Sequence, residues 1–180
     1  MGCGASKKKE KGSLFDQIMN SVPADCAYVK PLVLIGQSGS GKTTLIKHLQ
    51  QHFGEKMIKA VSVTTRAPHK HEINGVDYIF VDKAEFKKEH DAGMFFEHAK
   101  VNGHSYGLHL NFIKNAIANE KICVIDVNLE GAQKIHATGL ECHFILVEAP
   151  SKEKLIDRLR QEGCYDDATV TEKAACFDKN

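Results

Sequence analysis

The chain has 180 residues, 24 of them basic and 23 acidic, for a net charge of +1. That length suits one domain with room for a small insertion. The near-neutral balance excludes a molecule drawn to nucleic acid by its overall charge, and no apolar run approaches the ~20 residues of a membrane-spanning helix. The six cysteines, Cys3, Cys26, Cys123, Cys142, Cys164 and Cys176, are scattered, with no C-x-x-C pair and no secretory leader ahead of them. They read as reduced thiols of a cytoplasmic protein, not as a disulfide framework or a zinc site.

The chain opens Met-Gly-Cys-Gly-Ala-Ser, so Gly2 and Ser6 fit the N-myristoylation pattern M-G-x-x-x-[ST]. A single myristoyl chain holds a membrane only marginally, and stable attachment needs a second signal. Two are available, palmitoylation of Cys3 and the lysines Lys7, Lys8, Lys9 and Lys11. Each lysine near an anionic leaflet contributes roughly 1 kcal/mol. These features predict a basic tail and linker over 1–30, lipidated at Gly2 and Cys3 and anchored on the cytosolic side of a membrane. The same composition also suits a solvated basic tail. Behind Ser13 as a cap, Leu14, Phe15, Ile18, Met19 and Val22 share one helical face. That short helix has two uses open to it, lying on a membrane or packing on the domain. Pro23 and Pro31 bracket the linker into the first core strand.

Leu32 to Ile35 is a buried-strand run, followed by a glycine-rich loop and a helix with Leu45, Ile46 and Leu49 on one side. Met57 to Val63 reads as a second strand, and Ile73 to Val81, with Asn74-Gly75 as a turn, as a hairpin. Asp82 caps a short helix containing Phe86. Met94 to Tyr106 is extended and turns at Asn102-Gly103. Phe112, Ile113, Ala116 and Ile117 form a helical stripe. Ile122 to Ile125 is a buried strand ending in Asp126, Phe144 to Val147 is another, and Leu155, Ile156 and Leu159 mark a helix. Strands and helices alternate at both ends around a strand-rich middle. This predicts an α/β fold, a parallel-sheet core with helices on both faces and a small β-rich insertion.

Gly36-Gln37-Ser38-Gly39-Ser40-Gly41-Lys42-Thr43 satisfies G-x-x-x-x-G-K-[ST] between a strand and a helix, the context this P-loop motif requires. The glycines let successive N–H groups point inward at phosphate oxygens, and the helix adds its positive dipole end. The expected phosphate-binding set is Gly36 to Thr43 with Thr44. Lys42 should reach the β- and γ-phosphates, and Thr43 should ligate Mg²⁺. Switch proteins, motors and nucleotide kinases all carry such a loop, so the reaction must be read further along the chain.

Downstream come Ser62-Val63-Thr64-Thr65-Arg66-Ala67-Pro68, Glu72-Ile73-Asn74-Gly75-Val76-Asp77-Tyr78, Phe95-Phe96-Glu97-His98-Ala99 and Gly103-His104-Ser105-Tyr106-Gly107. In this order and spacing the chain resembles the guanylate kinase family, from about Pro31 to Arg160. The resemblance implies ATP and GMP as substrates with Mg²⁺. It also implies a domain over 31–180: a core (31–63 and 108–155), a GMP-binding insertion (64–107) and a helical lid (about 156–169). It assigns Lys42, Arg66, Arg158 and Asp126 to catalysis, and Ser62, Arg66, His69, Tyr78, Glu97, Tyr106 and Asp126 to GMP. Arg66 suits a bidentate clamp on the acceptor phosphate. Glu97 offers two acceptors to the N1–H and 2-amino donors of guanine, a match adenine lacks. Each residue type also has another use: the tyrosines can pack in the small domain, Arg66 can pair with Glu97, and Asp126 can cap the next helix. His69 and His71 have metal-ligand spacing but no evident third ligand, and read as a solvated loop.

Five positions depart from the family pattern. His69 stands where the family has a second arginine on the acceptor phosphate, and Leu108 where it has a hydroxyl near guanine. Asn128 replaces a second aspartate, Glu162 a lid arginine and Lys173 a further helix arginine. The sequence given also stops short of the family's last strand and helix, which leads one to expect an open sheet edge that invites a protein partner. Two functional readings follow: a guanylate kinase, and an ATP-binding, catalytically weakened guanylate kinase-like module that regulates or binds proteins at membranes.

Overall fold

The computed structural model describes residues 27–175 and Phe177; the tail with Gly2, Cys3 and the lysine cluster lies outside the described residues. A first sheet contains β1 (Leu32–Ile35), β2 (Met57–Lys59), β7 (Ile122–Val127) and β8 (His143–Leu146), in the order β2-β7-β1-β8 with every pair parallel. Parallel strands demand crossovers, and helices supply them. They are α1 (Lys42–Phe53), α3 (Leu110–Ala118) and α4 (Leu129–Ala137).

Strand side chains alternate between faces, so the sheet buries two separate apolar layers. Leu34 and Val124 meet Ile46 of α1 on one face. Val33, Cys123 and Ile125 meet Ile113 and Ile117 of α3 and Ile135 of α4 on the other. This is the doubly wound arrangement, in which ligands lie beyond the carboxyl ends of the strands. The P-loop leaves the carboxyl end of β1, and Asp126 sits opposite Leu34 near the carboxyl end of β7.

A second sheet, in the order β4-β3-β6-β5, is built from β3 (Val63–Thr64), β4 (Ile79–Phe80), β5 (Phe95–Val101) and β6 (His104–His109). The turn joining β5 to β6 holds Asn102 at φ 49° and Gly103 at φ 79°, the paired positive values that a tight hairpin needs. Helix α2 (Lys83–Asp91) is capped by Asp82, whose Oδ1 accepts from the Glu85 amide at 2.8 Å. Helices α5 (Lys152–Glu162) and α6 (Asp167–Ala175) pack on each other through Leu155, Leu159 and Val170.

Two expectations need correction. The strand expected over Met57 to Val63 is two strands in two sheets, because the chain leaves the core after Lys59 and joins the small sheet at Val63. The hairpin expected over Ile73 to Val81 is mostly turn. Asn74 and Tyr78 share a single bridge, and only Ile79–Phe80 forms a strand, parallel to β3. β3 spans 63/64, β6 spans 107/108, and α5 begins at Lys152.

Candidate active site

The P-loop is shaped by close approach. A Cβ on Gly36 would lie 2.4 Å from the Val147 carbonyl oxygen, and one on Gly39 3.0 Å from Leu155, with the Gly39 backbone at φ 79°. Side chains are therefore excluded, and the loop wraps tightly at the start of α1. The Lys42 ammonium donates to the carbonyls of Gly36 and Gln37 and lies 3.6 Å from Asp126 Oδ1. It thus sits at the centre of the loop, held by contacts that phosphate oxygens can replace. Thr43 and Thr44 are exposed in the first turn of α1, and the Ser40 hydroxyl is buried with no partner.

Arg158 reaches from α5 to the same loop, donating to the carbonyls of Gly39 at 3.3 Å and Ser40 at 3.0 Å. Lys173 of α6 approaches the Ser38 hydroxyl at 3.5 Å while its ammonium lies over the Tyr165 ring. The helical pair therefore brings two cations to the phosphate-binding loop. Glu162 keeps an exposed surface, yet partial burial raises its pKa against the pull of Lys173, His69 and Lys42. A carboxylate thus stands within electrostatic reach of Lys42 of the loop and Lys173 of α6. The His69 ring meets the Tyr165 ring edge-on, joining the loop after β3 to the connection between α5 and α6.

Beside the small sheet, Arg66 does not pair with Glu97. Its two terminal nitrogens donate to the two oxygens of Glu72 at 2.9 and 2.8 Å, and its guanidinium lies over Tyr78 and Phe80. Burial acts against the charged form, but the Glu72 and Tyr106 hydrogen bonds outweigh it and raise the Arg66 pKa. Glu72 also accepts from the His69 amide at 2.7 Å, so one carboxylate fixes both residues. Tyr78 and Tyr106 stand edge to face, with ring centroids 6.0 Å apart. Burial, then Asp126 and Tyr106, push the Tyr78 hydroxyl well above its ordinary range. Ser62 is half-buried between β2 and β3, and its carbonyl accepts from the Ile79 amide at 2.9 Å.

Glu97 is 8% exposed, and its Oε2 is buried without a hydrogen-bond partner. Desolvation raises its pKa to about 7, with a small opposing pull from Lys134. Its cross-strand neighbour is Leu108, itself 1% exposed, so no hydroxyl offsets the burial there. Asp126 is half-buried, and burial raises its pKa while Lys42 and Lys59 lower it. It does not cap the next helix. Asn128 does so, its Oδ1 accepting from the Gly131 amide at 2.8 Å. Sequence reasoning missed Glu72, which sits in an irregular loop with no periodic signal. Lys173 was marked only as a replaced arginine, and the fold carries it to Ser38.

A built anion loop, a clamped arginine and a buried acceptor carboxylate thus share one molecule. A family model described as guanylate kinase matches residues 28–179. The chain belongs to the guanylate kinase family. It is 40% identical over 134 residues to "Guanylate kinase 1" of Oryza sativa subsp. japonica, covering 74% of this chain and 35% of that protein. It therefore spans about a third of the length of that plant relative. It is 38% identical over 146 residues to "Guanylate kinase" of Sus scrofa, covering 81% of this chain and 74% of that one. The crystal structure of guanylate kinase from Anaplasma phagocytophilum aligns with a TM-score of 0.62 and 29% identity, over 85% of this chain and 76% of that one.

Within this guanylate kinase fold, the described residues hold no group of three or more His, Cys, Asp or Glu arranged for a metal ion. A Mg²⁺ ion fits the oxygen donors present, the exposed Thr43 hydroxyl and the Asp126 carboxylate, when phosphate oxygens complete its shell.

Proposed function

We propose that this guanylate kinase-family chain transfers the γ-phosphoryl group of ATP to GMP, giving ADP and GDP. The observation that carries the reading is the buried, unpartnered Glu97 carboxylate. A polar group held nine-tenths buried without a partner costs about 1–3 kcal/mol, a cost recovered when a ligand with two adjacent donors arrives. The N1–H and 2-amino group of guanine are such a pair. Arg66, fixed by Glu72, places its positive charge beside the acceptor phosphate, with Tyr78 and Tyr106 next to it.

The acceptor oxygen is already ionised at neutral pH, so the transfer needs positioning and charge stabilisation rather than a general base. The P-loop amides and Lys42 hold the donor phosphates, and Arg158 brings a second cation to that loop. Mg²⁺, held through Thr43 and with Asp126 at hand, would neutralise charge on the phosphates. Asp126 also keeps Lys42 oriented. A coupled assay of ADP formation tests the reading: turnover should require GMP and should be weak with AMP. Equal rates with both acceptors would contradict it.

Turnover is proposed to be slow, and Glu162 favours this. Its negative charge lies within electrostatic reach of Lys173, His69 and Lys42, near where phosphate charge would develop. We further propose that the N-terminus is lipidated at Gly2 and Cys3 and, with its lysines, holds the enzyme at the cytosolic face of a membrane. The support is the motif and the adjoining charge.

A further inference from the structure

The described chain begins on the rim of a groove that neither nucleotide site uses. The groove encloses about 760 Å³ between α1, β8 and the strand entry, and its apolar lining includes Leu49, Phe53, Met57, Ile122, Phe144 and Ile145. Phe144 and Ile145 are 37% and 45% exposed. Among the described residues β8 pairs with β1 alone, so this face lies at a sheet edge.

Three contacts fix the start of the described chain beside it. The Ala27 amide donates to Glu120 Oε1 at 3.0 Å, the Tyr28 hydroxyl donates to the Glu141 carbonyl at 2.7 Å, and Lys30 pairs with Glu141 at 2.9 Å. Tyr28, Val29 and Lys30 themselves line the groove. Just upstream, Leu14, Phe15, Ile18, Met19 and Val22 make one apolar helical face, with Asp16 the only charge between Ser13 and Val22. Val22 is five residues from Ala27, a span of at most roughly 18 Å. A helix of ten residues is marginal alone in water and needs an apolar surface to pack on.

We propose that residues 13–22 form an amphipathic helix that lies in this groove, its apolar face against Leu49, Phe53 and Ile145, which share the α1 side of the sheet. The tether puts the segment at high effective concentration beside the groove, which favours it over any partner in trans. The docked helix covers the exposed β8 face and braces the carboxyl-terminal half of α1, the helix that carries Lys42 at its other end. The basic tail then leaves from a fixed point on the domain.

The test is photo-cross-linking of the full, unlipidated chain carrying Phe15→p-benzoylphenylalanine, with cross-linked peptides mapped by mass spectrometry. The proposal expects links within one chain to the peptides holding Leu49 to Phe53 or Phe144 to Ile145. Adding Ile18→Glu, which would put a charge into the groove, should cut their yield about tenfold. Three results would overturn it: links joining two chains, links mapping elsewhere on the domain, or a yield unmoved by Ile18→Glu. Ile18 touches neither nucleotide site, so kinase turnover in the variant reports that the domain is still folded.

Discussion

The guanine-binding role proposed for Glu97 goes with a cost to the fold. Its pKa of about 7 means that the carboxylate is half protonated at neutral pH. GMP affinity should therefore weaken as pH falls below 7, because a protonated carboxyl loses one acceptor. Glu97→Gln should lower kcat/KM for GMP about 10–100-fold and flatten that pH dependence, with the KM for ATP unchanged; steady-state kinetics from pH 6 to 8.5 reads both. The stability effect has the opposite sign. An unfolded chain releases this proton near 4.5 and the folded chain only near 7. Between those values the folded state binds more protons, so stability falls as pH rises. Glu97→Gln escapes this loss and should unfold at higher temperature than the parent at pH 8. The gain is up to about 3 kcal/mol and should vanish near pH 4.5.

Element-scale features divide into those that periodicity reveals and those that it hides. β1, β7 and the stripes of α1, α3 and α5 were legible because a strand buried on both faces and an amphipathic helix each leave a run or a repeat. The break between β2 and β3 was not. Met57 to Val63 is nearly continuous in apolar character, and the change of sheet at Ala60 to Ser62 is a tertiary event. Glu72 was invisible for a related reason, since its pairing with Arg66 depends on loop geometry alone. Asn128 was read as a lost aspartate, yet as a side-chain cap on α4 it retains a structural task. Asn128→Ala should cost about 1 kcal/mol of stability, and Asn128→Asp should cost almost nothing in thermal unfolding, because aspartate caps equally well. The helical pair α5 and α6 carries Arg158 and Lys173 to the loop, with the Glu162 carboxylate nearby. Glu162→Arg should raise kcat by about tenfold or more and leave the KM for GMP little changed. An unaltered kcat would mean that Glu162 stands outside the charge that develops in transfer.

For the whole molecule, the proposal is that two sheets, a helical pair and a P-loop bring donor and acceptor sites together and that the N-terminus holds the chain at a membrane. If Gly2 is myristoylated, Gly2→Ala should move the protein from the membrane to the soluble fraction on flotation, with turnover intact. Persistent flotation would remove the lipid as the main tether. The most direct test of the account is ADP formation by the purified chain with ATP, Mg²⁺ and GMP. The account predicts slow, GMP-dependent turnover above the ATP-only rate, lost in Lys42→Ala. A rate no greater with GMP than without it, in a chain that still binds ATP, would contradict the account.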